Sequence, residues 1–443
     1  MKRIGVVSCA VGVLAVLLCL AVSLPVLAEE AKPYAGTTIS LLLYSDVGGN
    51  AVRKLIETER FQKLTGIQVD VSMLSWENSR QKMLLAYAAK DSSYDALYVD
   101  NPWIYEFASR GILEPLGKYM KDPKLGDPKF NLDDFPKQLV QRVMWNNEIY
   151  ALPYSFSPSI LMYRKDLFED PKEKAAFKAK YGYDLVPPRT MAQLRDAAEF
   201  FTRKGPGEMY GMTIALKRGG FAFNRWKQYA HAFGGSFFDA QGRPRVDNPQ
   251  NIEALEFLLK LKPFMPPTVV EMTGGESGVY FSSGQAAMTI DFQFYAPPAV
   301  NPQTSKIVGK VGFATVPKGT VLAVGHGGTI LSVYSLSKHK EAAYKLIEWI
   351  CSVEGERLNL ENDMSPMRMS LARDPAIQKR LPWLPVEVET HLHIKYADPL
   401  HRQFPIIQDT IGEEVNAAFA GTKSAKQALT DAQARIERMV EKQ

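Results

Sequence analysis

From Thr38 to Tyr44 the chain reads TISLLLY, a β-rich apolar run that predicts a strand. A turn through Gly48-Gly49-Asn50 follows, with Asn50 placed to cap a helix. Val52, Leu55, Ile56 and Phe61 then recur at helical spacing until Gly66 ends the helix. Ile67, Val69, Val71 and Met73 alternate with polar residues, the pattern of a strand with one buried face. A second helix is predicted over roughly Arg80 to Ala89 and a third strand over Asp95 to Val99. Pro102 opens a further helix that stops at Gly111. Strands joined in this order by helical crossovers make a parallel sheet covered on both faces.

The middle of the chain starts a second α/β unit. Tyr150 to Tyr154 leads to an extended stretch at Ser159 to Tyr163 and then a helix rich in Lys and Glu. Thr190 caps a helix running to about Arg203, and Asn248-Pro249 begins another. Gly284 to Asp291 passes from turn into strand and ends on a carboxylate beside Phe292 and Phe294. Lys423, Lys426, Arg435 and Arg438 alternate with apolar residues at helical spacing, which predicts a docked amphipathic helix. No internal repeat or low-complexity linker separates the two units, so strands crossing between them are expected to join them.

Parallel strands bring their C-terminal ends to one sheet edge, where ligands of open α/β sheets bind. Here those ends read Tyr44-Ser45-Asp46, Ser75-Trp76-Glu77 and Asp100-Asn101-Pro102-Trp103. Each sets an aromatic face near a carboxylate. A ring covers the flat C–H face of a sugar, while a carboxylate accepts from its hydroxyls at roughly 1.5–3 kcal/mol per charged hydrogen bond. The alternative for any one of these aromatics is a plug in the core.

Composition is that of a globular chain: 443 residues, 46% hydrophobic and 23% charged, long enough for two domains. Lys and Arg exceed Asp and Glu by only 53 to 48, which offers nucleic acid no concentrated basic face. The N-terminus departs from this mix. Lys2 and Arg3 precede an apolar stretch from Ile4 to Leu24, then Pro25 and Val26-Leu27-Ala28, as in a secretory signal cleaved after Ala28. An uncleaved membrane anchor is the alternative. Cys9 and Cys19 fall within that signal, so Cys351 would stand alone in the mature chain without an internal disulfide.

Several segments resemble the bacterial extracellular solute-binding proteins of sugar-importing ABC systems, the group that includes maltodextrin-binding protein. Phe61 to Val69 is similar to that family's helix-to-strand passage. Asp95 to Asp100 with Trp103, and Gly111 to Leu116, are similar to its next signature. Tyr150 to Pro153 and Tyr163 to Phe168 resemble the crossing into the second lobe. Gly284 to Met288 matches Gly-x-Ala-Ala-Met, and Pro317-Lys318-Gly319 with Gly327-Gly328 the return. Ser337 to Ala343 and Ser424 to Leu429 resemble the start of a helix and the C-terminal helix. Seven or more such segments in order cover nearly the whole mature chain.

The resemblance implies an α/β, two-lobed periplasmic-binding-protein fold of type II, each lobe a mostly parallel sheet flanked by helices. Lobe I would comprise residues 29–154 and 318–362, and lobe II residues 155–317 and 363–443. Crossings are expected near Tyr154, near Thr315 to Pro317 and near Asn362 to Pro366. The ligand, a carbohydrate or polyol, would lie between the lobes. The expected site is Tyr44, Asp46, Trp76, Glu77, Asp100, Trp103, Tyr154, Trp226, Asp291, Phe294, His326 and Arg368. Hinge closure, delivery to ABC permease subunits at the inner membrane, a periplasmic location and a monomeric state complete the expectation, with no cofactor. Phe292 and Phe294 stand where many members carry a Gly and then a Trp, which alters the aromatic platform.

A phosphorylated polyol would require Arg53, Arg80, Arg164 or Arg368 at the cleft. The rival reading is a secreted carbohydrate-active hydrolase, for which Asp46, Glu77, Asp100 and Asp291 could supply carboxylates about 5 Å or 6.5–9.5 Å apart. Gly-x-Ser-x-Gly, Gly-Lys-Ser/Thr, His-Glu-x-x-His and Cys-x-x-Cys motifs are absent. His391 and His393 would share one face of a strand, with His401 and Asp398 near, as a packing cluster or a metal site.

Overall fold

The computed structural model describes residues 32, 34–205, 208–239, 241–391 and 401–440. The signal with its two cysteines, His393 and Asp398 lie outside the described residues. Among the described residues ten strands occur in chain order: β1 (Thr38–Tyr44), β2 (Gln68–Leu74), β3 (Ala96–Asp100), β4 (Met144–Trp145), β5 (Glu148–Ile149), β6 (Leu152–Arg164), β7 (Tyr210–Thr213), β8 (Ala286–Phe292), β9 (Val311–Ala314) and β10 (His326–Val333). Eight of them form one sheet, seven along the path β2-β1-β3-β10-β6-β8-β7 and β9 paired to β6, while β4 and β5 make a separate small hairpin.

The expected parallel pairing holds for β1 with β2, β1 with β3, and β7 with β8. The strands that connect the two halves run antiparallel: β10 to β3 and β6, and β6 to β8 and β9. β6 is the bridge. Its residues up to Pro158 pair with β10, and from Ser159 onward it pairs with β8.

Three apolar clusters fill the molecule. The first gathers β1, β3, the start of β6 and β10 under the helix Lys340–Ile350, through Leu42, Val99, Leu331 and Ile347. The second packs the helices Gly220–Ala232, Pro249–Leu261, Phe404–Ala420 and Ala425–Val440 against β7 and β8. Leu161 faces that cluster, while its neighbours Ile160 and Met162 face a third around Trp383. Strand alternation thus covers both sides of the second half.

β6 leaves the first cluster after Phe156 and enters the others at Ile160. Val316, Ala323 and Val324 still belong to the second cluster, and the chain returns only where Ser159 donates to Gly325. Met364 and Met367 remain in the first cluster. The free Cys351 is buried there too. Among the described residues no helix is long and apolar enough to cross a membrane.

Local expectations are corrected at three points. Asp46, not Asn50, caps the first helix, Val47–Glu57, by accepting from Gly49 N–H. Asn50 lies inside that helix instead. Pro102 opens only a 3-10 turn, Asn101–Trp103, before the helix Ile104–Ser109. His391 ends the helix Leu384–His391, which removes the strand premise for a histidine pair. No group of three or more potential metal ligands occurs among the described residues.

Candidate functional site

At the end of β1 the chain turns sharply, and Asp46 stays extended so that its carboxylate folds back over the next helix. Its Oδ1 accepts from Gly49 N–H at 2.6 Å and from the Tyr98 hydroxyl at 3.2 Å. The close approach depends on Gly48, where a Cβ would meet Tyr98 Oη at 2.2 Å. Burial raises the Asp46 carboxyl to about 6, against the opposing pull of these donors. Tyr154 donates to the Gly48 carbonyl at 3.2 Å, so it supports this turn from behind.

A row of rings continues along the same sheet edge. Tyr98 lies 5.8 Å from Tyr154 and 4.7 Å from Tyr44, and Tyr44 lies 6.1 Å from Trp103. Trp103 is in turn 6.1 Å from Trp76, whose indole N–H donates to Asp100 at 2.9 Å. The expected sheet-edge cluster of Tyr44, Asp46, Trp76, Asp100 and Trp103 is therefore assembled. His326 begins β10 at this edge, with its Nδ1 3.4 Å from Arg142 Nη1, and Arg142 also donates to Asn101.

The second half presents the end of β8. Asp291 and Arg225 form a buried ion pair at 2.8 Å, and the guanidinium lies 4.3 Å above the Phe292 ring. Asp291 Oδ1 also takes the Phe292 N–H at 2.7 Å. Asp291 Oδ2 and Arg225 Nε are both buried and without hydrogen-bond partners, as is Gln408 Oε1. Burial raises the Asp291 carboxyl, and Arg225 opposes the rise. Phe294 packs at 4.4 Å from Tyr295 and its N–H donates to Ser157.

These two faces meet. Burial raises the Tyr295 phenol, and the charges of Asp291 and of Asp46 both add to the rise. Carboxylates from both halves thus act on one ring. The Trp76 ring lies 5.7 Å from Phe221, and Glu77 pairs across the rim with Lys217 at 3.3 Å. The turn Asn101–Trp103 touches the helix Phe404–Ala420, and the helix Val47–Glu57 touches the turn Gln293–Tyr295. The halves are closed on each other.

Three expected residues are placed elsewhere. Trp226 is fully buried in the second core, between Phe223 and Phe237, and its indole N–H bonds Asn251 O. Arg368 is locked inside the first half, donating to the Cys351 and Asn131 carbonyls and stacked on Phe130 and Phe135. Glu77 is an exposed rim residue rather than part of the enclosed cluster. Arg53, Arg80 and Arg164 are engaged by Glu57, Glu106 and Asp166. Sequence reasoning missed Arg225, Tyr98, Tyr295 and Gln408. Arg225 adjoins Trp226, and one step along a helix turns the side chain by about 100°. A groove lined by Leu64, Phe130 and Trp349, among others, lies on the first half away from this chemistry.

The family described as bacterial extracellular solute-binding proteins matches residues 45–357. The chain is 25% identical over 419 residues to a probable amino-acid ABC transporter periplasmic-binding protein of Sinorhizobium fredii, covering 92% of this chain and 90% of that one. It is 25% identical over 384 residues to a mannitol-binding protein of Pseudomonas aeruginosa, covering 80% and 82%. The structure is similar to an ABC transporter solute-binding protein from Agrobacterium radiobacter in complex with ribitol. That match has a TM-score of 0.82 and 28% identity, covering 92% of this chain and 100% of that one.

Proposed function

The chain belongs to the bacterial extracellular solute-binding proteins, and from that premise we propose that it captures a polyol or sugar between its two lobes and delivers it to an ABC permease. The single observation that carries the ligand class is the enclosed meeting of two polar, aromatic faces. Asp46, Asp100, Trp76 and Trp103 lie on one lobe, opposite Asp291, Arg225, Phe294 and Tyr295 on the other. Buried polar groups are normally paired, so the orphaned Asp291 Oδ2, Arg225 Nε and Gln408 Oε1 are suited to a ligand's hydroxyls. The similarity to mannitol-binding and ribitol-bound proteins supports the same class.

The mechanism follows from the connections. β6 and the segment leading into β10 pass between the lobes side by side, joined where Ser159 donates to Gly325, and provide a hinge. Only the closed form lets both lobes touch one solute, so the solute favours it. The permease then reads the closed form. We read the protein as a monomer that catalyses nothing, since Asp46 is held by its own helix and Asp291 by Arg225 rather than poised as an acid–base pair. The reading also includes export, with the signal removed after Ala28.

Thermal melts of the mature protein against alditols, sugars and amino acids test this reading. A true ligand at ~100 times its Kd adds about 2.7 kcal/mol of stability. One alditol or sugar that raises Tm and is recovered unchanged supports the reading. Conversion to product refutes the non-enzymatic role, and a response to amino acids alone refutes the ligand class.

A further inference from the structure

Resting on that reading of the cleft, we propose that the Arg225–Asp291 pair is a specificity determinant, selecting an uncharged polyhydroxyl solute and rejecting anionic ones such as phosphate esters. Two of the orphans, Asp291 Oδ2 and Gln408 Oε1, are acceptors, and one, Arg225 Nε, is a donor. A hydroxyl both donates and accepts, so an alditol can fill all three. A phosphate dianion or carboxylate group seated against these atoms has no proton to offer the two acceptors, and an acceptor left buried and unmet carries its desolvation cost.

Charge points the same way. Anion sites are built from arginines free to fork onto the ligand. Here Arg225 is bound by Asp291 at 2.8 Å and covered by the Phe292 ring. Arg80, on the first lobe's helix Trp76–Ala88, is held by Glu106 through two bonds of 2.8 Å. Asp46 and Asp100 both lie near Tyr44, whose phenol their charges raise, with Trp76 fixed on Asp100. An incoming anion would meet carboxylates on both lobes. Gln408 belongs to the cleft because its Nε2 lies within 2.8 Å of the position a Cβ on Gly220 would take, beside Trp76.

Isothermal titration of the mature protein with ribitol, D-mannitol and the corresponding phosphate esters decides the question. At least one alditol is expected to bind, with its phosphate ester weaker by about 100-fold or more, the scale of an uncompensated charge in a buried site. Asp291→Asn keeps the shape but leaves Arg225 unneutralised. It is expected to weaken the alditol about tenfold or more and to shrink the discrimination against the ester. An ester that binds the wild type as tightly as its parent alditol overturns the inference while leaving the polyol reading intact. Failure of every alditol, sugar and ester overturns both. Should Asp291→Asn not fold, the wild-type ratio still decides, and Gln408→Leu, which alters no charge but removes one of the two acceptors, is expected to weaken the alditol more than the ester and so to shrink the discrimination. A Gln408→Leu variant with unchanged alditol affinity removes that residue from the site and refutes the acceptor argument.

Discussion

Gly220 opens its helix on the second lobe, and Trp76 reaches it from the first. A methyl group there would lie 2.6 Å from Trp76 Cη2 and 2.8 Å from Gln408 Nε2. Carbon atoms prefer separations of about 3.5–4.0 Å, so in the Gly220→Ala protein the indole must retreat by roughly an ångström. The Gln408 amide is the tip of a flexible chain on the same lobe and can turn aside. Trp76 cannot do so cheaply, because its N–H is held on Asp100 and its ring packs on Trp103 and Phe221. Overpacking of this kind costs about 1–3 kcal/mol. The cost falls only on the closed state, since opening separates Trp76 from Gly220, and Ala is if anything the better helix residue. Ligand affinity should therefore weaken about 5- to 150-fold while the melting temperature of the ligand-free protein holds or rises. Titration calorimetry with the best ligand, beside melts of the ligand-free protein, measures both quantities. Adding Trp76→Phe should recover part of the loss, with a coupling of more than about 0.5 kcal/mol. An unchanged Kd, or a loss of affinity matched by a fall in ligand-free Tm, would refute closure through this contact.

Two further outcomes are expected. The Asp46 carboxyl is raised from 3.8 to about 6 in the folded protein, so between those values the native state holds more protons than the unfolded chain. Its contribution to stability thus falls as pH rises through that window, by up to about 3 kcal/mol. Asp46→Asn, which can still cap the helix, should match the wild type near pH 4 and exceed it in ligand-free Tm by pH 7; a difference independent of pH would contradict the assignment. Arg368→Met leaves the Cys351 and Asn131 carbonyls and the Asp134 carboxylate without the guanidinium and vacates the space between Phe130 and Phe135. It should cost about 3–5 kcal/mol in denaturant unfolding without changing which ligand is preferred, and a changed preference at full stability would return Arg368 to the cleft.

How much of this was legible in the sequence depended on whether a feature is local. β1 is found where its TISLLLY run lies, and Thr190 caps its helix through Gln193 N–H, because buried strands and N-caps are written in adjacent residues. β6 is different. Its 13 residues contain Pro153 and Pro158, and the run was read as two pieces with a break between them. Both prolines are accommodated where the ladder already changes: Pro153 pairs with Ile330 at a register shift, and Pro158 pairs with His326 at the end of β10. The strand that joins the lobes is the one whose sequence looks least continuous.

The site divides along the same line. Asp46, Asp100, Trp76 and Trp103 were legible because parallel strands bring successive C-termini to one edge, so chain order alone predicts the company they keep. Trp226 and Arg368 were misplaced because residue type identifies chemistry without identifying facing. An indole and a guanidinium serve a core as well as a cleft, and each here fills one. The opposing face rests on Arg225, Tyr295 and Gln408, which come from three separate elements of the second lobe. Nothing in their spacing marks them. What marks Arg225 and Gln408 is physical: buried polar atoms still lacking a partner, a state that only the three-dimensional arrangement can show and that a solute rich in hydroxyls would resolve.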